Sequence, residues 1–405
     1  SSFGFKSFGL NAIITNSGTI SVTDSNSAAI FTSGNNQTLN LLSGSKITGA
    51  ITLNGTGDTV NISMSNPDSS STLNFTGVET YNLSGDMAMI RNNDTVAIVD
   101  LTSQAAQRAM LHESSDQIHK IVNQRIRQND DSGINRWARV FGSTSERDDD
   151  KTVLAHDSDY YGFVGGYDTF IGNNKVGGYI GGKQSDIESN TSSVKTQSNS
   201  FLLGAYIGRT KDNWSLNGSI NMGYENNDSE RLLLDNLAGY QTAESDYNNY
   251  YVSPAVNLKY NYKISNTGIE IRPSTQLSYT YGYYDSYSES GTTNSNLNFD
   301  SRDVGILGAK LQLGLAKTFA KKGEAEIYFG TKMRKYNSDK INVGLGSSSS
   351  SFEIQGEDSV LGYYVGTNID YKITDSIFFN TDFEFTKASQ GEKSITGTLG
   401  LGIKF

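Results

Sequence analysis

Residues 100–128, DLTSQAAQRAMLHESSDQIHKIVNQRIRQ, form the one long stretch of this chain whose pattern predicts an α-helix. Thr102 and Ser103 are candidates to cap its start, its interior lacks Gly and Pro, and Ile118 and Val122 lie one turn apart on one face. Polar and charged side chains occupy most of the remaining circumference, so the apolar stripe is thin. At ~1.5 Å per residue the helix reaches roughly 40 Å, enough to cross a bilayer, yet it is too polar to face lipid. We therefore predict that other parts of the protein surround this helix and separate it from the lipid.

The sequence after the helix alternates apolar and polar residues with a period of two. In residues 214–225, WSLNGSINMGYE, the large apolar side chains share one face, and Ser, Asn and Glu share the other. The same alternation recurs in residues 307–315, 324–334 and 377–385. An apolar face that runs through a whole domain of strands indicates a barrel with lipid outside and water inside. Twelve strands are predicted, an even number that closes an up-and-down barrel, and they start near Arg136, Ser158, Lys175, Ser200, Trp214, Tyr247, Ile269, Asp303, Glu324, Ser359, Ser376 and Ser394.

Tight turns alternate with connections that are predicted to be longer and polar. The tight turns are expected at residues 172–174, 210–213, 265–268, 321–323 and 374–375. Short turns on one rim and longer loops on the other are typical of outer-membrane barrels. Both ends of the barrel then lie at the short-turn rim, so the helix that leads into the first strand has to come through the lumen. Glycines within residues 162–166 and 177–182 are expected to make room for it on the lumen wall.

Residues 1–99 have a different character, with short β-branched runs separated by Gly and Asn. Runs such as QTLNLL, DTVNISM and STLNF favour rungs of a parallel β-helix, in which inward Ile, Leu and Val stack along one axis. A small β-sandwich is the alternative. The predicted fold class is all-β: a 12-stranded antiparallel transmembrane β-barrel with a central α-helix in its pore, preceded by a short β-helix-like stub.

Composition sets limits on chemistry and partners. The 405 residues contain no cysteine, which excludes disulfides and thiolate metal sites, and the formal net charge of −10 argues against a nucleic-acid partner. His112 and His119 are seven residues apart, which is not the spacing of a two-histidine zinc helix, and no nucleophile-elbow or phosphate-loop motif occurs. We therefore expect no metal, no cofactor and no catalytic residue. The first ten residues lack a signal-peptide pattern, so an exported protein is expected to be represented here by a mature or truncated piece.

Charges on the helix suggest how it is held. The hypothesis is that basic helix residues meet carboxylates on the lumen wall. Basic side chains also face the lumen at Arg272, Lys310, Lys332 and Arg334, so this complementarity is partial. The helix residues are Arg108, Lys120, Arg125 and Arg127, and the lumen carboxylates are Glu225, Glu270, Glu326, Asp382 and Glu384.

Four stretches resemble the C-terminal part of monomeric, type V secretion autotransporters. Residues 96–102, VAIVDLT, are similar to the junction between passenger and barrel, with Leu101 where that family usually has Pro. Residues 273–291 are similar to a family motif that begins with Pro and ends in Glu-x-Gly. A first-strand motif is carried by Trp137, Arg139, Phe141 and Gly142, and an outer-membrane insertion signal by Thr398, Gly400, Ile403 and the terminal aromatic Phe405.

The resemblance implies a translocator unit that inserts in the outer membrane of a Gram-negative bacterium and mediates secretion or surface display of its N-terminal passenger. Residues 1–99 would be the C-terminal end of a β-helical passenger, residues 100–130 the linker helix in the lumen, and residues 134–405 the barrel. The implied partners are outer-membrane lipid, the barrel-assembly machinery, periplasmic chaperones and the protein's own passenger, and a monomer is expected. Some members cleave themselves at an Asn pair in the helix; Asn123 stands alone, so we expect an uncleaved or externally processed chain. Two alternatives are a surface adhesin that acts through residues 1–99 and an outer-membrane barrel enzyme.

Overall fold

The computed structural model describes residues 3–22, 27–66, 68–128, 134–319, 322–337, 340–354 and 358–404. Within these ranges it combines a parallel β-solenoid, one helix and a closed antiparallel barrel of 12 strands. The predicted fold class is therefore confirmed.

The first part of the chain winds as a parallel solenoid. β1, β4, β7 and β9 stack in one sheet, β2, β5, β8 and β10 in a second, and β3 pairs with β6 in a third. The alternative β-sandwich is wrong, because each strand pairs in parallel with the strand one turn earlier. The strands are β1 (Phe3–Phe8), β2 (Ile13–Asn16), β3 (Thr19–Ser21), β4 (Ala28–Ser33), β5 (Thr38–Leu42), β6 (Lys46–Thr48), β7 (Ala50–Asn54), β8 (Thr59–Met64), β9 (Ser71–Thr76) and β10 (Thr80–Gly85).

Similar side chains at equivalent positions of successive turns stack on each other and stabilise the solenoid. Leu39 and Val60 are aligned in register and completely buried, as inward positions of stacked rungs should be. On the outer side Asn82 donates to Asn61 at 2.8 Å and Asn61 donates to Asn40 at 2.7 Å, and successive members are spaced 21 positions apart in the sequence. The same residue type at the same place in each turn lets every amide bond the one below it. The solenoid ends in an antiparallel hairpin of β11 (Ala88–Asn92) and β12 (Thr95–Val99), and β12 also pairs with β9.

The helix, α1, spans Thr102–Arg127, so the predicted span of 100–128 is slightly long at both ends. Thr102 and Ser103 do not cap it, and that prediction is wrong. Leu101 occupies the cap position, with no side-chain cap hydrogen bond. The Thr102 hydroxyl instead accepts from the backbone N–H of Leu154, and the Ser103 hydroxyl contacts a barrel-wall threonine. Both hydroxyl groups therefore bond to the barrel and do not cap the helix.

Strands of the barrel alternate in orientation, and the barrel closes because its last strand, Lys393–Lys404, pairs along its length with its first, Asn135–Arg147. Leu216, Leu311 and Phe383 are examples of side chains exposed on the outer face, and the opposite face of each strand points into the lumen. The strands are β13 (Asn135–Arg147), β14 (His156–Ile171), β15 (Asn174–Ser189), β16 (Val194–Lys211), β17 (Trp214–Asp235), β18 (Gly239–Tyr260) continued as β19 (Tyr262–Ile264), β20 (Ile269–Tyr284), β23 (Arg302–Phe319), β24 (Gly323–Asn337), β27 (Ser359–Lys372), β28 (Ile377–Ala388) and β29 (Lys393–Lys404).

The two rims differ, although less simply than predicted. Tight turns lie at one rim, together with the first residue of β13 and the last described residue of β29. At the other rim the connections 190–193, 236–238 and 389–392 are also short, so the prediction of longer loops throughout is wrong there. β16, β17 and β18 replace long loops at this rim by continuing as ordered hairpins. We call the two rims the turn rim and the loop rim.

Two longer connections at the loop rim form a small sheet of their own. Its strands are β21 (Tyr287–Ser288), β22 (Leu297–Phe299), β25 (Ile341–Leu345) and β26 (Ser348–Phe352), in that order. The apolar face of this loop sheet packs against the β11–β12 hairpin in one buried cluster. The solenoid therefore sits on the loop rim, and α1 runs from this junction into the lumen.

Candidate functional site

The lumen is a functional candidate because a segment of the chain occupies it. Ile118, Val122 and Ile126 of α1 share a buried cluster with Trp137 and Tyr206 of the wall. Contacts of α1 concentrate on β14 to β17 and on β20, with fewer on β18 and β23. The helix is therefore held against one side of the barrel and lies off its axis.

Glycines set how closely the helix approaches the wall, but they are not the predicted ones. A Cβ on Gly208 would lie 2.2 Å from Ile126, and one on Gly308 would lie 2.5 Å from His112. The predicted glycines within 162–166 and 177–182 make room instead for wall side chains. A Cβ on Gly177, for example, would lie 2.4 Å from the ring of Tyr206. The expectation that they accommodate the helix is wrong because neighbouring strands place aromatic rings over them.

A buried ion pair anchors the end of the helix near the turn rim. Arg125 Nε and Nη2 donate to the two carboxylate oxygens of Asp168 at 2.6 and 2.9 Å, and the two side chains are 1% and 0% exposed. Tyr206 adds a 2.7 Å hydrogen bond to the same carboxylate, and its hydroxyl accepts from Trp137 Nε1 at 2.9 Å. Lys175 donates to the backbone oxygen of Arg125 at 3.2 Å, which satisfies a carbonyl at the helix end. Asp168 was not among the predicted carboxylates.

Two further basic helix residues do contact carboxylates from the predicted set. Lys120 Nζ lies 2.5 Å from Asp382 and 2.8 Å from Glu384. Arg127 Nη1 donates to Glu326 at 2.5 Å. The structure thus brings three of the five predicted carboxylates to the helix.

The remaining predicted charges contact other groups. Glu225 pairs with Lys183 of the neighbouring wall at 2.7 Å, and Glu270 pairs with Arg272 at 2.8 Å. Arg108 stacks on the ring of Tyr336 at 4.3 Å. These residues join the lumen network without a described ion pair between α1 and Glu225 or Glu270.

Acidic residues on the helix also pair with basic residues on the lumen wall. Glu113 accepts from Arg334 at 3.0 Å, and Arg334 also pairs with Glu392 of the wall. Asp116 pairs with Lys310. The sequence identified both wall cations as lumen residues but not their partners on the helix. Opposite charges at the same depth in the lumen would have indicated these pairs. Recognising them requires the register of the helix against the wall strands, which the sequence alone does not provide.

A water-accessible cavity of about 610 Å³ lies beside the helix on the side that α1 leaves open. It is lined by helix residues including Asn123 and Arg127, and by turn-rim residues such as Asp212 and Lys372, so it opens at that rim. Toward the loop rim the next cavity measures about 20 Å³ and is lined by Glu113 and Arg334. The lumen is therefore wide near the turn rim and narrow where the ion pairs cross it.

Asp100 marks the junction between the solenoid and the helix. Its carboxylate accepts from the backbone N–H of Thr102 at 2.9 Å and from its hydroxyl at 2.5 Å. Burial raises the pKa of Asp100 to about 6, although the hydrogen bonds from Thr102 act to lower it. Ionising a carboxyl group that is shielded from water is costly, and this cost moves the titration of Asp100 toward neutral pH.

The two predicted barrel motifs occupy the seam where the barrel closes. Trp137, Arg139 and Phe141 face the lumen, and Arg139 Nη1 donates to Gln124 of the helix at 2.5 Å. Gly142 lies opposite residue 397 across the closing pair of strands. In the last strand Thr398 faces the lumen, Gly400 lies under Arg139, and Ile403 is exposed on the outer face. Phe405 lies outside the described residues.

Among the described residues, the one helix is not apolar enough to cross a membrane by itself. In the same ranges no three His, Asp or Glu side chains are grouped to hold a metal ion. What the lumen does contain is a helix of the same chain, held by matched charges and closing the narrow half of the pore.

An apolar exterior, a polar lumen and a pore filled by the segment that leads to an outer domain define a class of outer-membrane transport barrels. The model of the autotransporter beta-domain family matches residues 136–384, more than half of the chain. The chain belongs to this family. It is an outer-membrane translocator unit of a Gram-negative bacterium, and its family is one of secretion domains that act on their own passenger.

One solved structure supports the architecture, and two others are more distantly similar. The chain is similar to the translocator domain of autotransporter NalP from Neisseria meningitidis, with a TM-score of 0.60 and 16% identity over 74% of this chain and 98% of that one. The beta domain of the Bordetella autotransporter Brka gives 0.49 and 13% identity, covering 68% of this chain and 100% of that one. The transport unit of AIDA-I from Escherichia coli gives 0.44 and 12% identity, covering 69% and 92%. No curated protein matches the chain.

Proposed function

We propose that residues 134–405 anchor the protein in the outer membrane, that residues 100–130 remain in the pore as a linker, and that residues 1–99 are the end of a passenger held outside the cell. One observation carries the proposal: α1 joins the solenoid at the loop rim to β13 at the turn rim through the lumen. A passenger on the outer side of the membrane is connected in this way to a barrel whose termini face the periplasm.

We assign the matched charges to holding the linker after export. Lys120, Arg125 and Arg127 would fix the helix to the wall, while Arg108 stacks at its outer end. Acid–base pairs at several heights favour one register of the helix, because a shift by one turn would place like charges together. The pore would then stay closed with the chain uncleaved.

The barrel motifs support an assembly role. Trp137, Arg139, Phe141 and Gly142 would lock the first strand, and Thr398, Gly400, Ile403 and Phe405 would be read by the barrel-assembly machinery. We further propose delivery by periplasmic chaperones and a monomeric final state. Closure of β13 on β29 supports a monomer, because a closed barrel leaves no strand edge for a second copy. The family is not an enzyme class, and we propose that the chain has no catalytic activity of its own.

The test uses the full chain, preceded by a signal peptide and an epitope tag before Ser1, expressed in a Gram-negative host. External protease should remove this tag from intact cells, while the membrane-embedded remainder keeps heat-dependent gel mobility. A second tag inserted in the turn at residues 212–213 is the matched control and should stay protected until the outer membrane is broken. Protection of the N-terminal tag in cells with a folded barrel would contradict the proposal.

A further inference from the structure

A groove of about 770 Å³ lies on the outer face of the barrel, across the seam where β13 pairs with β29. Two glycines form its floor at the seam, because Gly142 lies directly opposite Gly397 and neither carries a side chain. A third, Gly182 of β15, continues the floor two strands away. Exposed apolar side chains form the walls of this seam groove: Val140, Tyr161, Phe163, Phe383 and Leu399.

The seam groove crosses the level at which the outer face changes from apolar to polar. On the turn-rim side its walls are apolar, as at Val140 and Phe163. On the loop-rim side the next outward positions of the same three strands are Thr144, Asp159 and Asp186, which are aligned in register. Outer-membrane barrels have this transition at the boundary between acyl chains and headgroups. The groove therefore lies where an acyl chain is linked to its headgroup.

Three polar side chains at this end of the groove form a chain across β14, β15 and β16. The Tyr161 hydroxyl donates to Gln184, and Gln184 Nε2 donates to Asn199 Oδ1 at 2.9 Å. Among the described residues the Asn199 amide nitrogen has no acceptor, so its N–H groups are available to a molecule outside the protein. An N–H group at the edge of the hydrocarbon is costly to leave unpaired, since lipid tails offer it no acceptor.

The charge beside the groove distinguishes between classes of lipid. An acyl chain fits an apolar groove, and the ester or amide carbonyl at its head accepts from N–H groups such as those of Asn199. A phosphate next to that carbonyl, as in a phospholipid, would face Asp159 and Asp186, and bringing like charges together is unfavourable. Sugar hydroxyl groups would donate to these carboxylates instead.

We propose that the seam groove binds a glycolipid whose acyl chains are joined by amide and ester links to an amino sugar, the chemistry of lipopolysaccharide. One chain packs over Gly182 with its linking carbonyl at Asn199, and a second packs over Gly142 and Gly397. The choice of this lipid rests on the proposed function, because only the outer leaflet holds it and the loop rim must face outward. The bound lipid spans the closing pair of strands and stabilises the barrel at its seam.

The experiment measures the glycolipid that stays with the full chain when it is purified from outer membranes in a mild detergent, by mass spectrometry of the extracted lipid. Gly182→Leu fills the groove, and its Cβ would lie 3.5 Å from the Phe163 ring, an ordinary contact that leaves the strand in place. The retained glycolipid should fall on the order of tenfold, which corresponds to about two methylene groups losing their packing. Asn199→Leu removes the hydrogen-bond donors, keeps an apolar surface, and should also lower retention.

Gly178→Leu is the matched control. Gly178 lies on the same face of β15 outside the groove, and a Cβ there would be 3.6 Å from the backbone oxygen of Gly204. This variant should retain glycolipid like the unmodified chain. A second readout is the temperature at which the folded band converts to the unfolded band in gels. Purified lipopolysaccharide should raise this temperature for the unmodified chain and for Gly178→Leu, and should raise it less for Gly182→Leu and Asn199→Leu.

The possible outcomes are distinct. Unmodified retention in both Gly182→Leu and Asn199→Leu would overturn the site, and so would an equal loss in Gly178→Leu. Phospholipid retained in place of glycolipid, and lost in the same variants, would overturn the assignment of the lipid. The proposed function fails on a different readout, a tag before Ser1 that stays protected in intact cells, whereas lipid retention is measured on the purified barrel.

Discussion

Asp168→Asn tests whether the buried pair with Arg125 holds the helix in the pore. The arginine cannot lose its proton, so the substitution leaves a buried cation facing a neutral amide. Removing one partner of a buried ion pair costs about 3–5 kcal/mol. The ratio of undocked to docked helix should therefore rise by a factor of roughly 150 to 5000.

The assay uses the absence of cysteine from the chain. A single cysteine at Val122, which is completely buried against the wall, reports undocking through its rate of reaction with a thiol reagent. Asp168→Asn should accelerate labelling by the factor above, and Arg125→Gln combined with Asp168→Asn should restore most of the protection, since no charge then stays unpaired. Lys263→Gln is the control, because that lysine is 74% exposed and 3.9 Å from its partner, where ion pairs contribute little. The reasoning is refuted if Asp168→Asn labels at the unmodified rate, or if the double variant labels as fast as the single.

Three other outcomes follow from the same structure. Trp137→Ala should lower the free energy of unfolding of the barrel by about 3–5 kcal/mol. Trp137→Phe should lower it by less, about 1–2 kcal/mol, because Phe keeps most of the packing and loses the bond to Tyr206 and the contacts of the second ring. Urea unfolding checks this, and equal losses would contradict it. Arg334→Gln should raise the conductance of the purified protein in planar bilayers, since it removes the contacts with Glu113 in the narrow half; unchanged conductance would place the barrier elsewhere. The pKa of Asp100 lies above its ordinary value, so its contribution to the junction is fully present below about pH 4 and is lost as the pH rises through about 6. The protection factors of amides at the start of α1, which correct hydrogen exchange for its intrinsic pH dependence, should fall across that interval, and this fall should be absent in Asp100→Asn.

The barrel could be predicted from the sequence because lipid and water impose opposite demands on alternate residues. Residues 214–225 show this pattern, and the structure places Leu216 outside and Asn217 inside. β17 continues to Asp235, well beyond the predicted pattern. Residues 226–231 are polar on both faces and residues 232–234 are apolar on both, so the period of two disappears there. The same loss of signal explains why β18 begins at Gly239 and not near Tyr247.

The lumen was only partly predictable. Lys120 and Asp382 could be named because each lies on a face that the sequence defines. Asp168 shares the lumen face with Val164, so its orientation was available, but its contact with Arg125 depends on the rotation of the helix. That rotation is set by packing against one side of the wall, which no local pattern encodes.

The off-axis position of the helix has a consequence for the cell. In the proposed orientation the open cavity faces the periplasm, and the ion pairs narrow the lumen before it reaches the outside. Many copies of this barrel can therefore stand in the envelope without weakening its exclusion of bulky antibiotics. Variants that unseat the helix should be recognisable in growing bacteria by drug hypersensitivity.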